Sequence, residues 1–591
     1  MFLVIVDTTQ IQSYIFASNR LRENIGASHL VAQATGQWAL DAVDEAAGSH
    51  NIINAVTGEL DPTRQIDADE EQQAEVIYTG GGNAVVIFRT AEQVARFTQQ
   101  LSQRVLLEAP GLQLVITASE EFQWQEKPLV AVRENVFQKL KMAKRTPPAS
   151  APLLGLAVTV ECQSTALPAV EEVRFGAGEA RPVSAETAAK LNSVKPANER
   201  LKETFGSLAA GYEYPIELDH LGRTAGDQSH IAVVHADGDG MGKRIEELAG
   251  KYSSLDGQDN RDYVNALRAF SQSVNDAAQK ALETVLARLC AAIEPADDDS
   301  LVITHREARD AGVDWIPLVT LATVKENPDA AYIPFRPVVF GGDDVTFVCD
   351  GRLGVALAKL YADEFAKETE ARAACQGRLT ARAGVAIVKS HYPFARAYQL
   401  SEELIQSAKS YRREITEKDE SWPGSCLDWH FALSGLSGPL ADMRDREYQS
   451  PQQEPLLLRP LALGDNPLDP RRSWPVMERL LNAFQTEREW AGRRNKMKAL
   501  RDVLREGESA VKEFLASFNT NDPNDPSKAT QLPKAGVNLE YDYQKKGWSN
   551  LPDQRCLYFD AIEMADWHIS LPSQNTEPQA KTEVTGGKQN G

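Results

Sequence analysis

The chain has 591 residues, 42 % hydrophobic and 25 % charged, with a formal net charge of −21. That length predicts roughly three to five domains of about 100–200 residues each, with sizeable cores. So acidic a chain does not coat nucleic acid through bulk charge, which needs Lys and Arg clustered against phosphate; a local basic groove is still compatible with it. None of the six cysteines (Cys162, Cys290, Cys349, Cys375, Cys426, Cys556) stands in a C-x-x-C pair, so neither a structural zinc nor a disulfide framework is indicated. No apolar run reaches membrane-spanning length. The N-terminal MFLVIVDTTQIQSYIF lacks a basic leader and reads as a strand, so the expected location is the cytoplasm with no membrane partner.

In chain order, Phe2–Val6 is apolar and β-branched and predicts a buried strand. A helical stretch is expected over 11–43, then a polar surface insertion over 48–73. AEVIYTGGGNAVVIF predicts a hairpin around a glycine turn. A helix (91–107), a strand (112–118) and a helix (130–144) follow, and TPPASAP closes the unit. After a mixed segment, helical over 185–208, the same order returns. IAVVHADGDGMGKRIEEL is a strand, a turn and a helix start, and FRPVVFGGDDVTFVCDG is a hairpin. Then come a helix (352–374), the strand LTARAGVAIV and a helix (394–413). Both units end on Ala-Lys, Ala143-Lys144 and Ala408-Lys409, and together they read as an internal duplication. Beyond lies a region whose clearest helix is expected from Trp474 to about Phe518. Residues 519–536 are expected as a loop, and 573–591 as a disordered tail.

The expected fold class is therefore α+β, with two ferredoxin-like units and intervening and C-terminal mainly helical parts. The expected boundaries are 1–150 for the first unit, 151–228 for a small mixed domain, 229–420 for the second unit, 421–572 for a helical domain, and 573–591 for the tail.

Phosphoryl transfer is mostly positioning and charge neutralisation, and a two-cation centre needs two or three carboxylates converging from adjacent strands. Asp237 sits just past the C-terminal end of the strand 231–235, and Asp343 and Asp344 sit at the turn of the second unit's hairpin. If the strands are neighbours, the three acids meet at one edge, with Asp239 as a fourth candidate ligand. Gly341 and Gly342 let the turn adopt positive φ and leave room for a nucleotide. Either motif alone is as readily a plain turn; the pair in matched strand contexts is far more specific. In GDGMGK, the turn residues Gly238, Gly240, Met241 and Gly242, with Lys243, can hold a triphosphate on backbone N–H groups, although the spacing is not that of a Walker A loop. Lys409 and Arg413 share a helix face and could grip phosphates, or form a solvated face. The first unit has Gly81, Gly82 and Asn83 at its turn and no carboxylate there, so a second nucleotide without metal, or packing alone, is expected of it. His391 and His430 read as structural, and no His-Asp pair organises a site.

These residues resemble a known family. FGGDDVTFV is similar to the GGDEF/GGDD palm hairpin of diguanylate cyclases and of the large subunit of type III CRISPR effectors. IQSYIFASNRLRENIGASHLV, YTGGGNAVVIF, ADGDGMGKRI, GVAIVKSHYPFARAYQLSEELIQSAK, SCLDWHF and LLLRPLAL point to the CRISPR branch. The resemblance implies two facing palm domains, the second converting ATP to cyclic oligoadenylates with two Mg²⁺ or Mn²⁺ ions on Asp237, Asp343 and Asp344. It also implies phosphate contacts from Lys409 and Arg413, and partnership with other type III subunits carrying guide and target RNA. Two departures stand out: the chain starts directly at the palm strand, so no DNase domain is expected, and CQSTALPA keeps only Cys162, so no zinc is expected. The alternatives are a linear oligonucleotide or other AMP conjugate as product, or a non-catalytic palm scaffold.

Overall fold

The computed structural model describes residues 1–146, 158–174, 180–222, 229–253, 257–305, 309, 312–313, 317–325, 327–433, 438–487, 489–518, 530–536, 543–549 and 553–572. Most of the Pro-rich stretch after the first unit, most of the loop 519–536 and the C-terminal tail lie outside these residues.

The first unit is a four-stranded antiparallel sheet with strands in the order Ala74–Gly80, Asn83–Phe88, Phe2–Thr9 and Gln113–Ala118. Its first strand is apolar without alternation because both faces are covered. Leu3 and Ile5 pack with Leu129, Val132 and Val136 of the helix Leu129–Arg145, while Val4 and Val6 pack with the helices on the other side. The stretch expected as one helical run after this strand is three helices, Ile11–Phe16, Leu21–Thr35 and Gln37–Ala47.

The second unit repeats this order. Phe335–Gly341, Asp344–Asp350, His230–Gly238 and Ala381–Lys389 are neighbours in the same sense. The fold is therefore α+β with two palm sheets. Here, however, the sheet does not stop at residue 420. Cys426–Ala432 adds to it in parallel, and Leu461–Ala462 forms its edge. A boundary at 420 cuts this sheet. Cys426–Ala432 is buried along its length, so it lacks the alternation that marks a half-exposed strand.

Two further features differ from the sequence expectation. The helix expected over 474–518 is three helices, Trp474–Thr486, Arg494–Leu504 and Glu508–Ser517. Gly492 at φ 70° and Gly507 at φ 98° sit in the connections, in left-handed backbone that no helix continues through. In addition, a 35-residue helix, Gly257–Ala291, links the two sheets, a feature absent from the expectation. Its N-terminal end is fastened under the first palm: Trp124 Nε1 donates to the Gly257 carbonyl at 3.0 Å, and Arg261 and Arg268 pair with the fully buried Glu75. Between the palms, the helices Ala185–Asn192 and Val194–Phe205 fill the predicted helical part.

Candidate active site

The register of the second sheet brings the distant acids together. Asp237 lies directly opposite Asp344 on one side and Arg382 on the other, so the three form a row across three adjacent strands. Cross-strand partners point to one face of a sheet. The row behind it is Thr346, His235 and Gly384. Asp343 caps the hairpin, its carbonyl accepting from Gly238 N–H at 3.1 Å. The approach is close enough to explain the glycine: a Cβ on Gly238 would sit 2.8 Å from Asp343 Cβ and 2.7 Å from Met241 Cε. Gly342, at φ 69°, closes the turn.

The electrostatics of the row are uneven. Burial, with Asp237 and Asp344 nearby, pushes the Asp343 carboxyl up to about 7. Burial also raises Asp237, against the pull of Arg382. Arg382, largely buried, forms ion pairs with both Asp237 and Asp239. Asp239 also pairs with Arg412 Nε at 3.2 Å and accepts from Thr380 Oγ1 at 3.3 Å. Asp239, expected as a fourth metal ligand, is thus the anchor of two arginines.

Contrary to the expectation that no histidine organises a site, His235 does. Its Nε2 is 2.8 Å from Asp344 Oδ1, and its Nδ1 is paired with Glu402. The Tyr398 hydroxyl donates to Glu402 at 3.0 Å, and Tyr398 stacks on Phe16 of the first palm with centroids 3.8 Å apart. Burial alone would lower the imidazole, but Asp344 and Glu402 hold it up to about 10. The available signal was period two: His235 shares a strand face with Asp237. His430, by contrast, is buried and kept neutral, as read from sequence.

Of the expected phosphate groups, Lys243, Lys409 and Arg413 are exposed, and Arg413 pairs with Glu417 at 3.6 Å. Its neighbour Arg412, which the sequence reading passed over, is the one directed at the acids. Gly240, at φ 79°, caps the helix Met241–Lys251, and Gly242 is open to added atoms.

The first palm repeats the arrangement in degenerate form. Asp7 opposes Asn83 as Asp237 opposes Asp344. Lys144 is paired with Asp7, and Asn83 Oδ1 is buried without a partner. The two turns meet: a Cβ on Gly342 would lie 3.7 Å from Gly81 Cα, and one on Gly341 would lie 4.0 Å from Gly81 N. Thr8 Oγ1 donates to the carbonyl of Gly82 at 2.9 Å and fixes that turn.

As a seat for divalent cations, the donor chemistry of Asp237, Asp343 and Asp344 fits: all are hard oxygens suited to Mg²⁺ or Mn²⁺. Their side chains are not drawn together around a common point. Among the described residues, no three His, Cys, Asp or Glu groups are so gathered. Nor is Cys162 in such a group; its Sγ lies 3.4 Å from Thr187 Oγ1. Among the described residues no helix is long and apolar enough to cross a membrane.

Residues 230–419 match the family model for the Cas10/Cmr2 second palm domain. Among solved structures, the chain is similar to a Csm1–Csm4 cassette in complex with pppApApA, at 13 % identity over 96 % of this chain and 69 % of that one, TM-score 0.46. It is also similar to a cassette in complex with cA4, at 12 % identity over 96 % and 70 %, TM-score 0.44. Csm1 in T.onnurineus is similar at 14 % identity over 96 % and 69 %, TM-score 0.43. No curated protein matches the chain.

Proposed function

We propose, for a chain whose residues 230–419 are a second palm domain of the Cas10/Cmr2 family, the large subunit of type III CRISPR effectors, that this palm joins ATP molecules into cyclic oligoadenylates as part of an antiviral response. One observation carries the reading. Asp237 directly opposes Asp344 with Asp343 at the tip, and this edge lies against the Gly81 turn of a second, degenerate palm. Two nucleotides bound at facing turns are brought close, which removes most of the entropic barrier to their reaction.

In this proposal a 3′-hydroxyl attacks an α-phosphorus, the new P–O bond forms, and pyrophosphate leaves. Divalent cations, Mg²⁺ or Mn²⁺, supply charge neutralisation at the phosphates when bound. Asp237, Asp343 and Asp344 would hold them. Gly238, Gly240 and Gly242 keep side chains clear of the triphosphate, and the N-terminus of the helix Met241–Lys251, with Met241 as its first residue, offers N–H groups that the helix itself leaves unpaired. Lys243 and Lys409, both exposed, reach outlying phosphates, and so does the exposed Arg413 on leaving its surface pair with Glu417. Gly81, Gly82 and Asn83 form the second nucleotide's cradle, where Lys144 on Asp7 replaces a cation. Other type III subunits with guide and target RNA are the proposed partners, and the cytoplasm the proposed site of action.

A rival reading, a scaffold without catalysis, is favoured by the ion pairs that already occupy Asp237 and Asp239. Mass spectrometry after incubation with ATP and Mn²⁺, with and without candidate target RNA, separates the two. Cyclic products lost in Asp343→Asn with Asp344→Asn support the cyclase. Linear products only, or other AMP conjugates, revise the product. An unchanged profile in the double variant gives the scaffold reading the case.

A further inference from the structure

Residues 10–19 follow the first palm's opening strand and lie against the second palm. Their helix, Ile11–Phe16, meets Phe394–Lys418, the helix packed on the strands of the acid row. Asn19 Oδ1 accepts from Phe394 N–H at 2.9 Å, Phe16 stacks on Tyr398, and the Gln12 side chain hydrogen-bonds to Glu402. Phe394, Tyr398 and Glu402 are spaced by four, so they line one face over successive turns. The long helix is thus fastened turn by turn to the other palm. It also lies flush on the sheet: a Cβ on Gly384 would sit 2.3 Å from the Ser401 carbonyl oxygen.

Two of those contacts fall on the groups that fix Asp344. Tyr398 donates to Glu402, Glu402 pairs with His235, and His235 Nε2 is 2.8 Å from Asp344 Oδ1. Packing accounts for Phe16, which is buried, but not for Gln12, which is exposed and yet bonded to Glu402. At its other end the short helix touches the first palm's glycine turn, where a Cβ on Gly82 would lie 2.9 Å from Ile11 Cδ1. Gln10, at φ 54°, joins strand to helix in a left-handed conformation that a residue with a Cβ keeps only where its surroundings enforce it.

We propose that Gln12 and Phe16 are positioning residues for nucleotidyl transfer at the second palm: the first palm holds Tyr398 and Glu402 and, through His235, sets the Asp344 carboxylate. The effect on turnover rests on the nucleotidyl-transfer reading above; the linkage itself does not.

The test uses the full chain carrying ¹⁵N-labelled histidine, with the His235 imidazole signal assigned by its loss in His235→Phe. Gln12→Ala and Phe16→Leu are compared with the parent for that signal, for thermal unfolding, and for kcat and KM of product formation from ATP and Mn²⁺. In both variants the imidazole signal is expected to move and kcat to fall about tenfold, with KM changed by less than about twofold. An unmoved signal, or unchanged kcat in both variants, overturns the inference and leaves the cyclase reading standing. Should Phe16→Leu unfold at the assay temperature, Gln12→Ala, which alters only an exposed side chain, decides alone. A parent chain that makes no product overturns the cyclase reading, and the imidazole signal then decides the linkage: movement supports it and constancy overturns it.

Discussion

His235 Nε2 lies 2.8 Å from Asp344 Oδ1, so the last acid of the Gly-Gly-Asp-Asp turn is held by a buried side chain of the neighbouring strand. The far side of that imidazole is fixed by Glu402, which Tyr398 also grips. A carboxylate oriented this way is set before any ligand arrives. His235→Phe keeps the ring and its stacking against Tyr398, 5.6 Å away, but cuts the tie to Asp344. The expected result is a loss of turnover of about 10²-fold, the scale of a misplaced reacting group, with nucleotide affinity little changed. Product quantitation beside equilibrium binding checks this. Equal loss in both measurements would assign His235 to folding instead.

Asp343 makes a pH prediction. Burial, with Asp237 close by, raises its carboxyl from the ordinary value near 3.8 to about 7. Between those values the folded chain binds more protons than the unfolded chain, so this group lowers stability as pH rises through the window. Above pH 7 the charged carboxylate is a standing cost, on the order of a few kcal/mol. Asp343→Asn removes the cost. The variant is expected to resist urea better than the parent at pH 8 and hardly better at pH 3, where Asp343 is mostly protonated in both states. Divalent cation should narrow the pH 8 difference. A variant equally or less stable at pH 8 would show that Asp343 is not strained.

Gly238 offers a cleaner lesion. An added methyl would lie 2.8 Å from Asp343 Cβ, and only the tip of Met241 can move freely out of its way. The glycine has no positive φ to lose, so backbone strain is not at stake. Gly238→Ala is therefore expected to displace Asp343 and cost product formation tenfold or more, while the urea midpoint falls by only about 1 kcal/mol in equivalent stability. Activity within twofold of the parent would show that the turn has slack.

Much of this geometry was legible in the sequence. Apolar runs and glycine turns announced both hairpins, and their repeated order announced two palms. The opposition of Asp237 and Asp344 needed only one assumption, that the strands are neighbours. Other parts were hidden for physical reasons. Arg382 sits in a strand that reads as apolar, and nothing local says that its guanidinium faces an acid 145 residues away in the chain. Arg412 and Arg413 are adjacent on one helix, and spacing alone favoured the one that points to solvent. Gly492 and Gly507 broke a helix that charge periodicity had extended across them.

Glu75 tests whether apposition of the palms depends on the long helix. It stands on the strand leading to the Gly80–Gly82 turn, is fully buried, and pairs with Arg261 at 2.7 Å and Arg268 at 2.8 Å on Gly257–Ala291. That helix also reaches the opposite turn, where Asn275 Oδ1 accepts from Gly342 N–H at 3.3 Å. One helix thus holds both turns in register. Burial would raise Glu75, but Arg261 keeps it below the ordinary range, so its contribution to stability is present at neutral pH and is lost on acidification. Glu75→Ala leaves the half-buried Arg268 without its carboxylate and the buried Arg261 with only Asp67. Breaking such a buried pair costs about 3–5 kcal/mol. At pH 7 the variant should unfold at markedly lower urea, and hydrogen exchange should speed up over residues 74–88 and 257–275 together. Faster exchange in one segment without the other would mean that the helix does not couple the two turns.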